Sequence, residues 1–186
     1  MDEKEARRAL LPIVWDYLVS LPYDAKILQE AAADADLPRD GRERAAAVLI
    51  HVLSRHEGQG PERYLEDIFL VRAALSRLGE GEGGEPAAFE ARFGDVFGRL
   101  DEDIAVFSAS LGDEVWQRLL QRTDGFGKLL LKGKRASQYI DDQESLDLLY
   151  EEGLEFQTNY NLTEAQVQNR LRRPEQVIEH LQRRLR

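Results

Sequence analysis

The sequence predicts an all-α fold, a compact multi-helix bundle of about seven to nine helices. Apolar residues recur every three or four positions through most of the chain, and glycine and proline separate these periodic segments. Strand signals are scarce: only Glu155 to Asn161 alternates in part, and it is short and lies between helical patterns.

The spacing of Leu10, Val14, Tyr17, Leu18 and Leu21 predicts a first helix over 2–20. Pro12 either kinks it or marks its first turn. Pro22 is expected to open a second helix that ends at Leu37-Pro38, with Ala31, Ala32, Ala33 and Ala35 allowing close helix contact. A third, over 39–56, carries the stripe Ala45, Val48, Leu49, Val52 and Leu53. Gly58-Gln59-Gly60-Pro61 is a turn, and the next helix runs to about Leu78 with Tyr64, Ile68, Val71, Leu75 and Leu78 on one face.

Residues 79–86 (Gly-Glu-Gly-Glu-Gly-Gly-Glu-Pro) read as a flexible acidic loop within a single helical domain spanning 1–186. Beyond it, Phe89, Phe93, Phe97 and Leu100 share a helix face, and Asp101 is positioned to cap the next helix. Gly112 interrupts, with Asp113 as the following cap. Asp141 with Glu144, and Thr163 with Gln166, fit capping boxes. Pro174 suits the first turn of a last helix bearing Val177, Ile178, Leu181 and Leu185.

Composition narrows the function classes. Without cysteine there is no disulfide framework, thiolate metal site or cysteine nucleophile. No stretch resembles a signal peptide or a bilayer span, so a cytoplasmic location is expected. The net charge of −10 opposes nucleic-acid binding. The excess lies upstream, while the last stretch is rich in arginine. An acidic body with a basic tail is compatible with a protein partner or self-association, although arginines at a helix C-terminus also complement its dipole.

No catalytic constellation stands out. The three histidines are His51, His56 and His180. The first two are five positions apart and would not share a helix face, and neither HExxH nor Glu-x-x-His occurs. They read as packing or surface residues, with no metal or cofactor expected. Lys128, Lys132, Lys134 and Arg135 form a basic patch around Leu129-Leu130-Leu131, but the segment departs from the P-loop pattern. It suits an anionic surface, membrane or protein. Glu66 and Asp67 fall inside the periodic fourth helix, where one of them approaches the core and would then need a partner.

Pro22-Tyr23-Asp24-Ala25-Lys26, Ala45-Ala46-Ala47-Val48-Leu49, Val52-Leu53-Ser54 and Tyr64-Leu65-Glu66-Asp67-Ile68 together resemble the YkvA-like family over about residues 22–75. The resemblance implies a helical protein of no established biochemical function, with some members near membranes, and puts Glu66 and Asp67 at paired acidic positions. The sequence departs from the family's apolar, proline-rich connector: here residues 55–63 are short and polar. The leading expectation is a non-enzymatic interaction or scaffold module. The alternatives are a ligand-binding or enzymatic bundle whose polar site is assembled from distant helices, and a peripheral membrane protein acting through Lys128 to Arg135.

Overall fold

The computed structural model describes residues 1–54 and 56–186; Arg55, part of the polar connector, lies outside them. Among the described residues there are ten α-helices, eight of them seven residues or longer, and no strand, only a single β-bridge between Leu131 and Lys134. The fold is all-α.

Helix α1 (Glu3–Ala33) is continuous, with Pro12 and Pro22 inside it. The two helices expected here are one. Each proline removes a backbone hydrogen bond, but α1 packs against α2, α3, α5, α8, α9 and α10, and this apolar burial outweighs the local loss. Asp2 starts the helix by accepting from the Glu5 N–H at 2.8 Å, completing a capping box.

Helix α2 (Arg39–Leu53) packs on α1, and a 3-10 turn (Pro61–Tyr64) leads into α3 (Leu65–Leu75). The periodicity of α3 predicts one wet face, yet all of it is buried, including Glu66, Asp67 and Arg72. Neighbours enclose it on every side, so its polar residues must be satisfied from within.

The loop at 79–86 is exposed through Glu85 but is tied back at its end: the Glu85 N–H donates to the Asp36 carbonyl at 2.7 Å. Gly84 sits at φ +78° against Pro38, where an added Cβ would lie 2.5 Å from the Pro38 nitrogen. One hydrophobic core joins residues on both sides of this loop.

Helix α4 (Ala87–Arg92) is followed by α5 (Gly94–Leu111), which runs through Asp101, so that residue is mid-helix rather than a cap. Gly112, at φ +92°, ends it, and α6 (Asp113–Thr123) begins with Asp113 in its first turn. After α7 (Ala136–Ile140), α8 (Gln143–Asn159) is capped by Asp142 rather than Asp141, and it includes most of the partly alternating stretch. Thr163 caps α9 (Glu164–Arg170) through the expected box, and Pro174 opens α10 (Pro174–Arg184).

Candidate metal centre

Helix α2 stops at Leu53, and Ser54 takes an extended conformation. The five-residue spacing of His51 and His56 therefore does not follow helix geometry: His51 stays in the last turn while His56 lies beyond the helix end. The 3-10 turn at Pro61–Tyr64 brings the start of α3 back to the same place. Asp67 lies in the first turn of α3, where the helix dipole favours a carboxylate.

His51 Nε2 is 3.1 Å from Asp67 Oδ1, and His56 Nε2 is 2.6 Å from Asp67 Oδ2. The Asp67 side chain is 1% exposed and the two imidazoles 15% and 13%, so the carboxylate is shut off from water while the imidazoles border it. Each imidazole therefore faces one oxygen of the buried carboxylate. Burial alone would raise the Asp67 carboxyl, but the two imidazoles overcome it and hold it below the usual carboxylate range. Burial likewise opposes charge on His56, yet the neighbouring carboxylate lifts it above an ordinary histidine.

The imidazoles are held by their surroundings. The Ser54 carbonyl can only accept, so the 2.5 Å contact from His56 Nδ1 places a proton on that nitrogen and leaves Nε2 to face Asp67. The His51 ring stacks on Phe126 with centroids 4.3 Å apart, and His56 lies 5.5 Å from Tyr64.

The group opens into a cleft of ≈ 480 Å³ whose wall includes His180, Arg184, Arg63, Glu62 and Glu66. All three histidines of the chain therefore line one cavity. His180, on α10, is held below an ordinary histidine by burial and by Arg183. Glu66 is 5% exposed and is bound by Arg122 of α6 and, at 2.7 Å, by Arg184 of α10.

Of the residues singled out from sequence, Glu66 and Asp67 both line this cleft, Glu66 paired with arginines and Asp67 facing two imidazoles. The basic patch does not join them, although the intervening Leu129 reaches the cleft wall. Lys132 lies 3.5 Å from Glu152, Lys134 donates to Ser145 Oγ at 2.6 Å, and Lys128 and Arg135 are exposed. Sequence reasoning passed over His51, His56, His180 and Arg63. The rarity of histidine was the available signal, but the spacing rule applies only along an unbroken helix.

Two imidazoles and a carboxylate are a donor set suited to a first-row divalent ion. Bonds of about 2.1 Å in a tetrahedral site give donor–donor edges of about 3.4 Å; the imidazole–carboxylate separations are 3.1 and 2.6 Å and one ligand atom from each residue lies within 4.8 Å of the others, so the group would shift slightly around an ion. No helix of the described residues is long and apolar enough to cross a membrane. Comparison of the chain with protein-family models, curated proteins and solved structures finds no match.

Proposed function

We propose that this protein is a helical bundle that binds a divalent first-row metal ion through His51 Nε2, His56 Nε2 and Asp67, and presents it to a ligand in the adjoining cleft. The observation that carries this reading is the convergence of two imidazoles and a buried carboxylate, one ligand atom from each lying within 4.8 Å of the others. A cation between them would satisfy all of them at once. Three protein ligands leave coordination positions open toward the cleft, as in catalytic rather than structural sites. An ion held there supplies Lewis acidity and polarises a bound oxygen. His51 and His56 fix the ion's position through their stacked and hydrogen-bonded rings, while Asp67 offsets part of its charge.

The resemblance to the YkvA-like family fits this reading, because its paired acidic positions correspond to Glu66 and Asp67. A scaffold role draws on less: Leu148, Tyr150 and Leu154 are the exposed large apolar residues of α8. A membrane-surface role draws on a patch in which Lys132 and Lys134 already have partners within the chain.

Titration calorimetry of the chelator-treated protein with zinc or cobalt tests the proposal. One ion per chain is expected, with Asp67→Asn lowering affinity at least 100-fold, about 2.7 kcal/mol, while circular dichroism stays helical. Binding that is absent, or equally tight in Asp67→Asn and His56→Gln, would remove the proposal.

A further inference from the structure

A second cavity shares Arg184 with the metal cleft. It is an open groove of ≈ 380 Å³ where α6 meets the end of α10. Its charged lining residues are Arg118, Arg122, Arg184 and Arg186, and among the described residues no acidic side chain lines it. In a chain of net charge −10 this is a local reversal of sign. Arg118 holds the two walls together: it donates to the Leu185 carbonyl at 2.8 Å and to Glu114 at 2.7 Å.

Arg122 and Arg184 stand in the last turns of their helices and both donate through Nε to the Glu66 carboxylate, one to each oxygen. Clamped by one carboxylate, the two Nε atoms lie within about 8 Å of each other. Only Nε is used. The Nη groups of both arginines have no hydrogen-bond or ion-pair partner among the described residues. They are not sealed: the two side chains are 35% and 58% exposed. Glu66 supplies one negative charge against two guanidinium groups, Glu114 offsets Arg118, and Arg186 has no ion-pair partner among the described residues. The groove therefore stays positive and presents two unused arginine forks.

We infer that this groove binds a phosphate group, its oxygens accepting from the Nη groups of Arg122 and Arg184, with Arg186 adding positive charge. The planar guanidinium fork matches the oxygens of phosphate and carboxylate. Two forks side by side ask for more than a carboxylate, whose two oxygens and single charge satisfy one of them. A phosphate near neutral pH carries three acceptor oxygens and close to two charges, and so serves both. The volume exceeds that of one phosphate ion and leaves room for a group attached to it. This site needs no metal ion and stands apart from the metal reading above.

The test is titration calorimetry of the full chain at fixed ionic strength with inorganic phosphate, phenyl phosphate and acetate. Saturable binding of one phosphate per chain is expected, with acetate clearly weaker. Arg122→Gln and Arg184→Gln should each weaken phosphate about tenfold. Each variant keeps the other arginine on Glu66, so neither strands the buried carboxylate. Arg172→Gln removes an exposed arginine that does not line the groove and should leave the affinity unchanged. Asp67→Asn should also leave it unchanged. Phenyl phosphate separates two sources that both support the site: tighter binding than inorganic phosphate points to an organic monoester, weaker binding to the free anion. The inference is overturned if neither phosphate binds saturably, if acetate binds as tightly, or if Arg172→Gln costs as much as the groove variants, which would reduce the effect to net charge. Loss of phosphate binding in Asp67→Asn would also overturn it, by placing the anion on a metal ion instead.

Discussion

Asp24 and Asp67 are both buried aspartates facing α3 or lying within it, and they are neutralised in different ways. Asp24, on α1, faces Arg72 at 3.0 Å, and the guanidinium is itself packed over the Tyr17 ring at 3.7 Å. Arginine never gives up its proton, so this pair is permanent. Burial pushes the Asp24 carboxyl up, and Arg72 pulls the other way. Asp67 instead faces two imidazoles, each able to exchange a proton for a metal ion. The same chemical problem, a carboxylate removed from water, therefore has a fixed answer at one place and an exchangeable one at the other. The fixed pair is suited to holding helices together, the exchangeable group to binding something.

The largest expected effect separates these roles. Arg72→Met leaves Asp24 buried without its cation and should lower stability by about 3–5 kcal/mol in urea unfolding. His56→Gln in metal-free protein should lower it much less, because His51 remains beside Asp67. Equal losses would erase the distinction.

A third buried carboxylate sharpens it. Among the described residues no cation forms an ion pair with Asp103. Burial and the charge of Asp16 raise it to about 6, while the Tyr17 hydroxyl is hydrogen-bonded to it. Its folded value lies above its unfolded one, so the folded state holds the proton more tightly. The stabilisation is present at acid pH and is lost as pH rises through about 6. Asp103→Asn should therefore be more stable than the unaltered protein at pH 7, by about 1–2 kcal/mol once the Tyr17 hydrogen bond to the charged form is allowed for, and the advantage should vanish near pH 4. Unfolding curves across that range check the sign; an Asn variant less stable at pH 7 would show the charged form to be the preferred one.

How much of this was legible in the sequence follows from range of interaction. Periodicity and capping chemistry are local, so the helical class, the Thr163 box and the Pro174 start could be read directly. Pro12 and Pro22 misled because their local penalty was weighed without the burial that α1 gains from helices far away in sequence. Asp67 could be flagged as an acid inside an apolar pattern, but its partners could not: His51 and His56 are placed by a helix end and a 3-10 turn, and His180 comes from α10. Charge composition was equally silent on the basic patch, because the partners of Lys132 and Lys134, Glu152 and Ser145, belong to α8.

The smallest expected effect concerns Glu66, which stands between the two cases. Its carboxylate is fixed by arginines, as Asp24's is, but it borders the exchangeable centre and one of its partners is largely in water. Arg184 is 58% exposed and Arg122 35%, whereas Glu66 is 6% exposed. An exposed arginine contributes little, so Arg184→Ala should change stability by less than about 1 kcal/mol while Arg122 still neutralises Glu66. Removing both arginines should cost more than the two single losses combined, because only the double variant leaves a buried carboxylate with no cation. A double-mutant cycle by urea unfolding measures that excess. Strict additivity would mean that water reaches Glu66 once α10 loosens, and the carboxylate would then belong with the exposed acids of the surface rather than with Asp24.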